Sequence, residues 1–291
     1  MGGVRLEAVG LLTGWGEGVA ALPLDARVAA EGRVVIPVPP PALDGERFRR
    51  ATRECLLGVA AVHAVLREAR REPEAIGGAG TALVFVTAAG YGASNVEFVG
   101  ADAARPVHSE GGLAPERHGS VGTLRFPYTA ASSLPAEVAI EFGLTGGYVI
   151  LIGGAPATVD ALWQAGRMVA EGRCQRALVL AVETFAQCEV LWRRARWTLP
   201  GPLVESAACA LLVPGDSVPR YQAVGAADGQ ERAVETRAGR TLACAPLVAA
   251  ALAREAGSGT ARLSGTWRGR TAAIEFATTG EPCNPRKCST S

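Results

Sequence analysis

The sequence predicts an α/β fold in which a mainly parallel sheet is covered by helices. Three observations lead there. Strand-like and helix-like runs alternate through the first 214 residues. The strand-like runs, such as "TALVFVT" and "ALVLAV", are apolar at every position, as strands buried on both faces are. Glycine-rich turns separate them: the chain has 36 glycines in 291 residues, and 48% of it is hydrophobic, enough for a sizeable core.

Taken in order, "VRLEAVGLLT" opens as a strand and "VPPPALDG" is a proline-rich loop. From Glu46 to Glu72 the pattern is helical. Phe48, Cys55, Val59, Val62 and Leu66 share one face, with Arg and Glu on the other, and His63 is a half-buried helix residue. "GAGTALVFVTAAGYG" is a buried strand followed by a glycine loop. Residues 102–122 are a polar, glycine-rich loop that carries His108 and His118. "LPAEVAIEFGLTG" is a helix, with Pro135 in its first turn and Gly143 at its end. A buried strand, Tyr148–Ile152, then runs through a glycine pair into a helix over Ala157–Glu171. "RALVLAVE" and "ESAACALLVPG" are strands. Beyond residue 214 the pattern changes. "RYQAVGAADGQERAVETRAG" reads as a strand and a polar linker, and "PLVAAALAREAG" as a short Ala-rich helix. "ARLSGTWRGRTAAIEFAT" is a hairpin turning at Arg268-Gly269.

A net charge of +1 argues against a nucleic-acid or membrane surface. No apolar run reaches membrane-spanning length. The start "MGGVRLEAVG" lacks the order of a signal peptide, and Leu6 stands where a myristoylation motif needs Ser or Thr. The expectation is a soluble, cytoplasmic protein. The seven cysteines are scattered in mostly apolar context, which suits reduced core thiols. Cys283 and Cys288 form a lone C-x4-C without further ligands, so neither metal nor cofactor is expected.

The turn "YVILIGGAPATVDALWQA" is placed like an active-site elbow. A side chain at such a helix N-terminus sits among free backbone N–H groups, which stabilise a thiolate or an oxyanion. Cys or Ser there would be an acylation site, with histidine as proton carrier. Here Gly153, Gly154, Ala155 and Pro156 form the turn, and none is reactive. All three histidines fall at or before position 118. No G-x-S-x-G, P-loop, H-E-x-x-H or zinc spacing is present, and "GWGEGVA" is too loosely placed to be a dinucleotide loop. Glu183 and Glu205, at strand ends, read as buried structural groups that bind loop amides.

In this order the residues resemble the β-ketoacyl synthases of the thiolase-like superfamily. The stretch from "RFPYTAASSLPAEVAIEFGLTGG" through the elbow to "RALVLAVE" follows that family's loop, Gly-Leu-x-Gly helix, strand, elbow, helix and glutamate-ended strand. "VTAAGYGASNVEFV" is similar to its Thr-x-x-Gly strand end. "ESAACALLV" is similar to its Glu-Gly-Ala-Ala strand, with Ser206 where glycine is usual. The resemblance implies a layered α-β-α-β-α fold with an abbreviated C-terminal half. Its implied boundaries are a ketosynthase-like half over 1–214, a shortened half over 215–280 and a disordered tail over 281–291. It places the family's acylated cysteine at Ala155. "GRTLACAPLVAAAL" puts Arg240 at one family histidine, and the other has no counterpart.

Within that family, inactive copies serve as chain-length factors. The resemblance therefore implies a non-catalytic subunit that heterodimerises with an active ketosynthase across joined sheet edges. It would meet acyl carrier protein only through that complex, in highly reducing type II polyketide or polyene biosynthesis. Phe126, Tyr128, Thr129, Ser132, Ser133 and Leu134 are the candidates to reach the partner's acyl tunnel and limit chain growth sterically. Two alternatives stay open. One is a malonyl-carrier-protein decarboxylase that supplies a starter unit. The other is an acyltransferase using another nucleophile, Cys188 or Cys209.

Overall fold

The computed structural model describes residues 2–49, 51–88, 129–185, 193, 201–223 and 229–277. Its largest sheet has six strands: β1 (Gly3–Thr13), β2 (Gly16–Glu17), β4 (Thr81–Thr87), β5 (Tyr148–Ile152), β6 (Arg176–Glu183) and β8 (Ser206–Gly215), in the order β2-β1-β8-β6-β4-β5. Two-residue strands β3 (Val35–Ile36) and β7 (Leu203–Val204) pair separately. β9 (Arg220–Ala223), β10 (Thr260–Trp267) and β11 (Arg270–Ala277) form a third sheet, in the order β10-β11-β9. The helices are α1 (Ala26–Ala30), α2 (Arg53–Ala69), α3 (Ser133–Phe142), α4 (Ala155–Ala170), α5 (Gly229–Ala238) and α6 (Ala245–Glu255).

The large sheet is mixed rather than mainly parallel. β4 pairs in parallel with β5 and β6, while β8 runs against both β6 and β1. Apolar runs report burial on both faces and carry no information on direction, so the reversal of β8 leaves no trace in the pattern.

Alternate residues of each strand face opposite layers. Leu83, Phe85, Leu178, Leu180, Cys209 and Leu211 pack toward α2 and α3. Ala82, Val84, Ala177, Ala181, Ala208 and Ala210 face α4 and α6, so the second set is small and lets α4 sit close. In β1 the register slips between Leu6 and Ala8, which turns Ala8 toward α2 while Leu6 faces α4. α4 also packs on β10 and β11, so one apolar core runs from the large sheet through the central helices into the third sheet. There the inner pairs are Ala261–Phe276, Leu263–Ile274 and Gly265–Ala272, and the outer ones include Arg262–Glu275 and Thr266–Thr271. Among the described residues the layers are therefore α/β/α/β, the abbreviated form of the five-layer arrangement.

Three further expectations are corrected. The single helix over Glu46–Glu72 is a 3-10 turn at Glu46–Arg49 and then α2. α2 is also buried nearly all round, with Leu57, Gly58, Ala61, Ala64 and Val65 inside as well as the face read from the sequence. The polar linker contains α5, whose buried residues Val234 and Ala238 are one turn apart. With so few apolar positions the periodicity is faint. α5 lies beside the β10 edge, where Thr266 Oγ1 donates to Glu231 at 3.0 Å, and an edge covered by a helix is protected from stray pairing. Finally, among the described residues β5 lies at the edge of the sheet rather than inside it. Tyr148 is 56% and Ile152 72% exposed, and Val149, Ile150 and Leu151 are half-buried.

Candidate functional site: a sealed elbow

β5 delivers the chain to the elbow, and Gly153 N–H donates to Thr87 O at 2.8 Å, tying the turn to the end of β4. Gly154 caps α4 with φ −82°, and no residue from Gly153 to Ala155 has a positive φ. These glycines therefore serve close approach rather than a left-handed turn. A Cβ on Gly154 would lie 2.5 Å from the indole Cγ of Trp267. A Cβ on Gly265 would lie 2.2 Å from the Ala155 Cβ. β10 thus lays its glycine on Ala155 and its indole on Gly154, leaving Ala155 7% exposed. In the first turn of α4, Pro156 has no N–H, and Ala157 N–H is bonded to Gly154 O at 2.9 Å.

Arg240 and Ala155 line one cavity of ≈ 90 Å³, together with residues of α5, α6 and β10. The structure therefore brings together the two positions that the resemblance singled out. Sequence reasoning missed Gly265, Trp267, Thr241 and Leu242. The signal for the first two was a Gly-Thr-Trp tip on a hairpin, which gives no hint of what the tip covers.

Two buried glutamates fix the surrounding loops. Glu183 Oε1 accepts from Ala88 N at 2.7 Å and Ala243 N at 3.2 Å, and Thr158 Oγ1 donates to Ala243 O at 2.5 Å. Glu205 accepts from Val38 N at 2.9 Å and Phe185 N at 2.8 Å, and pairs with the Arg53 guanidinium. Both bind loop amides, as read from the sequence.

His63 lies on α2, across the large sheet from α4. Its Nε2 is 3.6 Å from Glu141, and its ring centroid is 4.8 Å from that of Phe142. Of the gating candidates, Leu134 is fully buried against Gly58 of α2, Ser133 Oγ donates to Ala130 O at 2.9 Å, and Ser132 caps α3 without a side-chain bond. Thr129 and Ser132 are half-buried. Phe126, Tyr128, His108, His118, Cys188, Cys283, Cys288 and the expected disordered tail lie outside the described residues. Among the described residues, no group of three His, Cys, Asp or Glu side chains could hold a metal, and no helix is long and apolar enough to cross a membrane.

The described cysteines are poor nucleophiles. Burial pushes the Cys55 thiol up to about 11, and pushes Cys209 and Cys244 up further still. A raised pKa leaves little thiolate near neutral pH. Native-state alkylation with iodoacetamide at pH 8, mapped by peptide mass, should therefore leave Cys55, Cys209 and Cys244 unmodified. Fast labelling of Cys209 would restore it as a nucleophile.

No family model and no curated protein matches the sequence. Solved structures do match. A type II polyketide acyl-carrier protein in complex with its ketosynthase bound to the hexaketide aligns with TM-score 0.72 and 13% identity, covering 96% of this chain and 100% of that chain. The ishigamide ketosynthase/chain length factor gives TM-score 0.66 and 17% identity over 94% of this chain and 98% of its own. A ketosynthase in complex with its chain length factor from Xenorhabdus doucetiae gives 0.60 and 12% over 94% and 99%. The layered architecture built above is thus the thiolase-like fold of the ketosynthases.

Proposed function

We propose that this chain is a non-catalytic, chain-length-factor-like subunit that pairs with an active ketosynthase in type II polyketide or polyene synthesis. The sealed elbow carries the reading. A subunit with Ala155 at the apex, Gly265 against it and Trp267 over the turn has neither a nucleophile nor room for an acyl thioester there. A decarboxylase would need room for its substrate at the apex, and Gly265 and Trp267 occupy it. An acyltransferase working through Cys209 would need a thiolate that burial disfavours.

The route of pairing follows from β5. Among the described residues no strand pairs with its outer edge, and its sequence "YVILI" has no charge or proline to blunt it. A partner strand added there would extend the six-stranded sheet. Gating of the partner's tunnel falls to the segment that leads into α3, at Phe126, Tyr128, Thr129 and Ser132, since Leu134 is committed to this chain's own core.

The test is co-expression with a ketosynthase that has an intact Cys-His-His set, read by light scattering after size exclusion. The wild-type chain is expected as a 1:1 heterodimer that elongates acyl carrier protein-bound chains. The double variant Tyr148→Asp/Ile152→Asp changes side chains already exposed in the free chain. It should fold normally and lose the complex by at least 10-fold in affinity. A stable monomer beside a fully active ketosynthase would sink the proposal.

A further inference from the structure

Among the described residues the central helix layer is closed on one flank only. α4 lies between the two larger sheets, with β4 and β6 on one side and β10 and β11 on the other, and α6 covers its flank toward β1 and β8. Its other flank, on the β5 side of the sheet, carries Asp160, Trp163, Gln164 and Arg167, whose spacing sets them on one stripe. Asp160, Trp163 and Gln164 are half-buried and Arg167 is exposed.

The edge of the third sheet joins this stripe. The Tyr221 hydroxyl of β9 donates to Asp160 Oδ1 at 2.8 Å, Arg270 Nη2 of β11 lies 2.6 Å from Asp160 Oδ2, and the ring centroids of Tyr221 and Trp163 are 5.7 Å apart. The two rings line a cavity of ≈ 650 Å³. Arg167 and Arg173 line its far end and share one carboxylate, that of Glu171, at 2.5 and 3.2 Å, so that end keeps an excess of positive charge.

Trp163 and Tyr221 pack on the main core with part of each ring in water, as do Val149 and Leu151 of β5. Half-buried aromatic rings with arginines at the rim have the composition of a protein interface. The area argues the same way. β5 has five residues. An edge of that length, roughly 17 Å, covers on the order of 200 Å² per partner, against about 800 Å² in a standard stable interface. A partner built in the same layers that adds a strand to β5 brings its own helix layer level with α4. The open flank of α4 then supplies contact that the strand edge alone lacks.

We propose that this flank, with Trp163 at its centre, is the second part of the surface that receives the ketosynthase. The partner lays an apolar side chain on Trp163 and Tyr221 and a carboxylate beside Arg167 and Arg173. The surface rests on the pairing proposed above, to which it adds most of the contact and a requirement for acid on the partner's side.

Hydroxyl-radical footprinting of the full-length chain tests it, alone at low concentration and co-purified with a ketosynthase that has an intact Cys-His-His set. Oxidation of Trp163 and Tyr221 should fall at least 3-fold in the complex. Leu24 and Val28 are 87% and 74% exposed at α1, which packs on α5 by the opposite edge of the third sheet, and should stay as reactive as in the free chain. Arg167→Glu changes a side chain that is 56% exposed, so it should fold normally and weaken the complex at least 5-fold, less so as salt rises. Trp163→Ala should weaken it at least as much, and the footprint covers the case in which that variant fails to fold. One outcome would overturn the α4 surface and leave the pairing through β5 standing: a complex that Tyr148→Asp/Ile152→Asp disrupts, in which Trp163 and Tyr221 stay fully reactive and Arg167→Glu binds like wild type. Absence of any complex with the wild-type chain would overturn both.

Discussion

Arg53→Met is expected to remove about 3–5 kcal/mol of unfolding free energy, the usual consequence of stripping one partner from a buried ion pair. Glu205 is fully buried, and the Arg53 side chain is 16% exposed. Arg53 Nε lies 3.2 and 3.1 Å from the two carboxylate oxygens, and Nη2 contacts both Glu205 and Val38 O. The carboxylate also holds Val38 N and Phe185 N, so one charge pins the proline-rich strap, the end of β6 and the first turn of α2. Without the guanidinium, a carboxylate remains in the core. A domain's whole stability is roughly 5–15 kcal/mol, so the loss is a large fraction of it. Urea denaturation should show a lower midpoint at unchanged slope. The double variant Arg53→Met/Glu205→Gln should be less destabilised than the sum of the singles, because the uncompensated charge is gone. A midpoint for Arg53→Met within error of wild type would show that the pair is dispensable.

The second large effect is expected from one methyl group. Gly10 lies in β1 directly beneath α2, and a Cβ there would stand 2.1 Å from Val65 N and 2.6 Å from Ala64 C. Both are backbone atoms of a helix buried nearly all round, so no side chain can swing aside. α2 must lift from the sheet, and β1, β8 and β6 lose contact with it. Overpacking typically costs about 1–3 kcal/mol, and Gly10→Ala should reach or exceed the top of that range. Gly147→Ala is the matched control. Nothing lies within 4 Å of its added methyl, so thermal melting should be unchanged or slightly raised. Similar melting temperatures for the two variants would refute the close packing of α2 on β1.

The large sheet was legible in the sequence where burial leaves a mark. β4 and β6 are apolar throughout because helices cover both faces, and the bounds of β5 were read correctly. What burial does not encode was lost: the direction of β8, and the place of β5 at the edge, since an apolar edge strand and a core strand use the same residues. Gly143 at φ 61° and the turn at Arg268 and Gly269, φ 48° and 80°, were readable because local backbone geometry selects the residue. α5 was not, because two buried apolar positions over ten residues are too few to set a period. Ala155 and Arg240, singled out from the order of motifs, line one cavity. The lid of Gly265 and Trp267 could not be found that way, because it comes from a strand more than a hundred residues away that carries no motif of its own.

β5 also bears on the life of the chain before it meets anything else. An apolar, uncharged strand whose outer edge no described strand covers is a template for pairing with copies of itself, and concentration decides how often that happens. Production in isolation should therefore yield aggregate in proportion to expression level. Synthesis beside whatever covers the edge should yield soluble protein at the same level. Under the proposed pairing, the amount of usable protein in a cell would be set by the partner's supply rather than by its own rate of translation.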